Sequence, residues 1–150
     1  MALRALEERA TPVLAALRDA QWLPVLLIRL FVGYFFFETG LGKIGDLGGL
    51  AERFAGWGIP FPAFNAALSA YTELLGGALL VLGLATRLVA IPLFINMAVA
   101  ISVVNIKRVT EFDEFFDLSE PLYALCFVLL IFAGGGPVSL DRLLGRRSKS

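Results

Sequence analysis

The sequence predicts an all-α polytopic membrane protein: a bundle of four transmembrane helices preceded by an amphipathic helix at the membrane surface. Three observations carry that prediction. Of 150 residues, 58% are hydrophobic and only 17% are charged, against ~45–50% and ~25% in an ordinary soluble domain. The mean hydropathy is +0.79. The apolar residues also fall in long blocks, where a soluble bundle would show thin stripes.

The opening segment, residues 1–21, reads as the interfacial piece. Leu3, Leu6, Ala10, Val13, Leu14 and Leu17 recur at helical spacing, while Arg4, Glu8 and Arg18 lie off that stripe. An amphipathic helix of this kind lies in the plane of the membrane surface. Glu7, Glu8 and Asp19 interrupt it, so it does not read as a signal peptide.

Four apolar blocks follow, at about 23–44, 64–84, 88–105 and 119–133. A helix needs ~20 residues to cross a ~30 Å hydrocarbon core. The first three blocks meet this, and the fourth is short unless it continues through "GGGPVSL". Strands are excluded because a barrel would show short alternating segments. Between the first two blocks, "GDLGGLAERFAGWGIPFP" reads as a glycine- and proline-rich connection with aromatics suited to an interface. "GLATR" allows only a tight turn, which makes the second and third blocks an antiparallel hairpin. "KRVTEFDEFFDLS" is expected along the membrane surface, and "DRLLGRRSKS" as a disordered basic tail. The membrane domain is thus placed at 22–136 and the tail at 137–150.

Charge and residue usage exclude several functions. Lys+Arg and Asp+Glu are balanced at 13 each, which offers no nucleic-acid surface. There is no histidine and one cysteine, Cys126. That removes intramolecular disulfides, Cys-x-x-Cys chemistry, histidine-ligated haem and the usual copper, iron or zinc sites. No metal site is expected. Cys126 reads as a small buried apolar residue.

The candidate site residues are the polar groups at membrane depth, each costing ~2.5–3.5 kcal/mol on insertion scales and so needing a partner. Glu73 stands mid-span in the second block, with Asn65, Ser69, Gly76 and Gly77 sharing its face. Arg29, on a face with Gly33 and Gly40, is the expected counter-ion. Asn96 follows Pro92 in the third block and is placed to hydrogen-bond Glu73. Arg29, Glu73 and Asn96 therefore form the expected polar centre. Glu38 lies ~180° around the helix from Arg29 and must meet a neighbour, a second copy or the outer interface. Lys43 reads as an anchor at the outer end, with Glu120 level with it. Tyr71 adds a phenol at depth. A purely structural role for Glu73 stays open beside a ligand- or proton-handling one.

The strings "LIRLFVGYFFFETGLGKI", "GIPFPAFNAALSAYTELLGGALLVLGLATRLVAI" and "AGGGPVSLDRLL" together resemble the DoxX family of small bacterial four-helix membrane proteins. The motif residues are Arg29, Gly33, Gly40 and Lys43; Pro60 and Pro62; Glu73, Gly76, Gly77, Gly83, Thr86 and Arg87; and the closing Gly-Pro-Val-Ser-Leu-Asp. The resemblance implies an accessory subunit of a membrane redox system, which binds a quinone or other lipophilic redox molecule or docks an oxidoreductase. The subunit itself would be non-catalytic, and assembly as a homo-oligomer is open. Cys126 stands alone, so the paired-cysteine chemistry of distant relatives is not expected. The alternative is a small oligomeric transporter or membrane chaperone-like partner built around Glu73.

Eight Lys and Arg flank the membrane on the side of the two termini and the 83–87 turn, against four on the other side. The positive-inside rule then places both termini in the cytoplasm of a bacterial inner membrane. Reporter fusions at Ser150 should be active as cytoplasmic fusions, and those at Gly56 and Glu114 as periplasmic ones. A periplasm-active fusion at Ser150 reverses the orientation.

Overall fold

The computed structural model describes residues 12, 14–105, 115 and 117–147. From residue 22 onward six helices follow one another: α1 (Trp22–Gly45), α2 (Leu47–Gly56), α3 (Pro62–Leu82), α4 (Thr86–Val99), α5 (Ser119–Ala133) and α6 (Leu140–Arg147). Helix α4 continues as a π-helical turn over Ala100–Asn105. The segments Trp22–Gly45, Pro62–Leu82 and Thr86–Val103 are long and apolar enough to cross a membrane, and Ser119–Ala133 is a shorter apolar helix beside them. The fourth block therefore stops at Gly134, whose φ of 75° no helix accepts. It does not run on through "GGGPVSL".

Helices α1, α3, α4 and α5 close a ring in which each packs on the next and α5 returns to α1. Where they meet, Val32, Phe36, Leu80, Leu93, Met97, Phe127 and Leu130 form the core. An aromatic set locks α5 onto α1: Tyr123 stacks on Phe35 at 4.8 Å, and Phe36 meets Phe127 edge-on at 5.0 Å. Such pairs are worth ~0.5–1.5 kcal/mol beyond the area they bury. The turn Gly83–Ala85 and residues 134–147 mark one end of the bundle, the tail end. Helix α2 and the residues around Pro60 mark the other, the loop end.

Two differences from the sequence reading have plain causes. The connection after α1 contains a helix, α2, because Asp46 caps it by accepting from the Gly49 N–H at 3.0 Å. Leu47, Leu50, Ala51 and Phe54 then pack on the α3 side, a stripe that Gly48 and Gly49 disguise. The closing segment is also helical through Arg147. Ser139 starts it by accepting from the Arg142 N–H, and Asp141 bonds both to the Gly83 carbonyl through its own N–H and to the first amides of α4. Residues 14–19 are helical and exposed; the rest of the expected N-terminal stripe, and most of the expected surface segment at 107–119, lie outside the described residues.

Glycine sets the spacing of α1 against α3. A Cβ on Gly77 would stand 2.3 Å from the Phe37 nitrogen, and one on Gly40 would stand 2.3 Å from the Leu74 nitrogen. The two backbones touch there, which only glycine allows. Gly42, on the same helix, has open space around it. Gly77→Ala should therefore force α1 and α3 apart and cost ~1–3 kcal/mol, while Gly42→Ala is neutral. Detergent unfolding titrations compare the two directly.

Candidate functional site

The contact between α1 and α3 fixes a register, and that register decides which charges meet. Gly83 at the end of α3 faces Arg29, Gly77 faces Gly33 and Phe37, and Leu74 faces Gly40. The helices are antiparallel, so Glu73 comes level with Thr39 and Lys43, more than two turns from Arg29. At ~1.5 Å per residue that is ~15 Å along α1, beyond the reach of a side chain.

Lys43 Nζ donates to Glu73 Oε1 at 2.5 Å as an ion pair. The Asn96 amide donates to the same oxygen at 2.7 Å, and the Thr39 hydroxyl donates to Oε2 at 3.2 Å. Helix α1 thus supplies two donors and α4 one to an α3 carboxylate whose side chain is only 1% exposed, while that of Lys43 is 33% exposed. Charge-assisted hydrogen bonds of this length are the strong ones. With both oxygens bonded and an ammonium adjacent, the carboxylate is compensated without water.

The expected Arg29–Glu73 pair is therefore corrected. Arg29 is 2% exposed, but it serves the tail end. Its guanidinium donates to the carbonyls of Gly135 and Val138, the latter at 2.7 Å. The opposite charge whose field reaches it is Asp141, the residue that caps α4. Arg29 thus pins the glycine-rich link after α5 to α1. Asn96 does reach Glu73, and Lys43, expected as a surface anchor, is its ionic partner. Thr39 was not singled out in the sequence, although its place one turn before Lys43 on the Gly40 face was a usable signal.

Above the Glu73 cluster lies a cavity of about 800 Å³, within the usual size of a ligand pocket. Its walls come from α2, α3, α4 with its π-helical turn, and the link at 57–60. They are mainly apolar: Leu50, Phe54, Trp57, Leu68, Ile95 and Val103 among others. The polar groups are few, chiefly Lys43, Ser69, Thr72, Glu73, Asn96, Arg53, Asn65 and Glu120. Asn65 is occupied by the Pro60 carbonyl at 2.6 Å, and Arg53 lies 3.6 Å from Asp46. Glu120 shares the cavity with Lys43, but among the described residues no ion pair joins them. Glu38 is exposed on the outer face of α1 and Tyr71 half-exposed on α3, both away from this cavity. Among the described residues no group of three His, Cys, Asp or Glu could hold a metal.

The chain is similar to several bacterial proteins. It is 33% identical over 137 residues to "Uncharacterized membrane protein Rv3486" of Mycobacterium tuberculosis (strain ATCC 25618 / H37Rv), with 83% of each chain covered. It is 32% identical over 125 residues to "Putative oxidoreductase CatD" of Bacillus subtilis (strain 168), covering 83% of this chain and 90% of that one. An "Uncharacterized protein" of Haemophilus influenzae (strain ATCC 51907 / DSM 11121 / KW20 / Rd) is also 32% identical over 125 residues, covering 80% and 82%. No solved structure matches. The DoxX family model matches residues 24–106, the span that holds α1 to α4 and the whole Lys43–Glu73–Asn96 cluster, and the chain belongs to the DoxX family of membrane proteins.

Proposed function

We propose that this protein is an accessory membrane subunit of a redox system. Its cavity binds a quinone or another lipophilic redox molecule for a partner oxidoreductase, and both termini lie in the cytoplasm. The observation that carries the reading is the cavity of about 800 Å³ with apolar walls and a buried ion pair at its base. Such a site suits a molecule that is mostly hydrocarbon and presents a few hydrogen-bonding oxygens. The name of the Bacillus subtilis relative, "Putative oxidoreductase CatD", points the same way.

The chain's own part is binding and orientation. The Glu73 carboxylate is already bonded by Lys43, Asn96 and Thr39, so it holds Lys43 in place at the cavity wall. An ammonium held so can still donate its other protons to an oxygen of the guest. Electrons would come from the partner enzyme, and the guest would carry them.

Solvent extraction of the purified protein should release a quinone in a substantial fraction of one per chain. Ala100→Phe, which fills part of the cavity from the π-helical turn, should lower that fraction at least fivefold and leave the folded yield unchanged. Equal quinone in both proteins, or none in the unaltered chain, would overturn the reading.

A further inference from the structure

At the tail end, where the first turns of α4 and α6 meet the link after α5, the surface holds a cleft of about 390 Å³. Its walls carry two arginines: Arg87, the second residue of α4, and Arg142, the third residue of α6. A helix dipole has its positive end at the N-terminus, where acids stabilise and cations do not. Neither arginine is therefore placed to steady its own helix. Neither has an ion pair or a side-chain hydrogen bond among the described residues. Arg87 lies against the link: a Cβ on Gly134 would stand 2.9 Å from its Nε. Gly135 and Gly136 continue the same wall, and their N–H groups meet no acceptor among the described residues. The acid in the wall, Asp141, is already engaged. One of its oxygens accepts from the Ala85 amide and the other from the Thr86 amide. Two unpaired guanidiniums thus share a cleft with unbonded backbone donors, a set that suits a phosphate.

The surroundings favour a phosphate that carries acyl chains. The spans Pro62–Leu82 and Thr86–Val103 meet at this level, one ending and the other beginning, which puts the cleft at headgroup depth. Leu88, also in its wall, is 72% exposed in the first turn of α4. Phe132, beside the wall residue Ala133 at the end of α5, is 78% exposed. Helix α6 continues the pattern. Leu140, Leu143 and Leu144 share one face and are all exposed, while Arg142 falls ~200° round from Leu140. A short helix with leucines on one side and a cation on the other belongs at the boundary of headgroups and acyl chains. Asp141 holds it at that level, since its N–H donates to the Gly83 carbonyl at 3.0 Å.

We propose that this cleft binds an anionic phospholipid of the tail-end leaflet. The phosphate sits between Arg87 and Arg142, the acyl chains run along Leu88 and Phe132, and α6 rests in the headgroup layer. A choline headgroup would bring a third positive charge to two arginines, so a lipid with net negative charge is preferred. The site is separate from the loop-end cavity and does not depend on what that cavity holds.

The test titrates the full chain in detergent micelles with dioleoyl phosphatidylglycerol or dioleoyl phosphatidylcholine and counts the first bound lipid by native mass spectrometry. Phosphatidylglycerol should bind at least tenfold tighter. Arg87→Gln and Arg142→Gln should each weaken it about fivefold, the worth of one arginine at an anionic headgroup, and leave phosphatidylcholine unchanged. Arg53→Gln, which removes the same charge at the loop end, should have no effect. Both cleft arginines are exposed, so the variants should unfold at the same midpoint as the unaltered chain. Glycerol 3-phosphate in tenfold excess over the lipid should fail to displace it. Equal affinity for the two lipids, binding unaltered in the double glutamine variant, or an equal loss in Arg53→Gln would overturn the site. Displacement by glycerol 3-phosphate would make the cleft a pocket for soluble anions and overturn the lipid as its occupant.

Discussion

A carboxylate buried at membrane depth must be compensated by the protein, because the hydrocarbon offers nothing. In this chain the compensation is the Lys43–Glu73 ion pair, completed by Asn96 and Thr39. Much of the architecture follows from it. Helices α1, α3 and α4 must each bring a side chain to one point, so their relative depth is fixed within a turn. Lys43 supplies the charge, Asn96 a neutral donor from the third helix, and Thr39 a bond to the second oxygen. Breaking such a pair leaves an unpaired charge in low dielectric and typically costs ~3–5 kcal/mol.

The pair works only because the backbones approach so closely. Gly40 against Leu74 and Gly77 against Phe37 leave no room for a methyl group. Close approach at these points brings Lys43 level with Glu73. The same register carries Arg29 to the tail end, beside Gly83, where it bonds the carbonyls of the 134–138 link. Asp141 returns the favour by capping α4 through the Ala85 and Thr86 amides. The bundle is therefore clamped at both ends by polar contacts, and the apolar core with its Phe35, Phe36, Tyr123 and Phe127 cluster fills the middle. Between the clamps, on the loop side, lies the cavity, lined in part by Pro92 and by Ala100 and Val103 of the π-helical turn. Irregular helix of this kind is common at functional sites.

The spans were legible in the sequence to within about two residues, because length and hydropathy are local properties read against a fixed bilayer thickness. The polar face of α3 was legible too: Asn65, Ser69, Glu73 and Gly77 repeat at helical spacing, and all but Gly77 line the cavity. The partner of Glu73 was not. Sign alone suggested Arg29, whereas depth decides, and depth depends on an interhelical register that no local pattern records. Gly40 and Gly77 held that information in latent form, since close contacts at both positions are compatible with one antiparallel alignment only. Helix α2 was hidden by Gly48 and Gly49, whose low helix propensity is overridden by the Asp46 cap and by packing on α3. The helix at 140–147 was hidden because its basic composition says nothing of Asp141, which finds its partners more than fifty residues earlier in the chain.

Lys43, and not Arg29, is the ion that compensates Glu73. A double-mutant cycle on Lys43→Met and Glu73→Leu, read by unfolding free energy in detergent micelles, tests this most directly. Each single change should cost ~3–5 kcal/mol by stranding the other charge, and the double change should cost clearly less than the sum, with a coupling above ~1 kcal/mol. Additivity within ~0.5 kcal/mol would contradict the pairing and the register built on it.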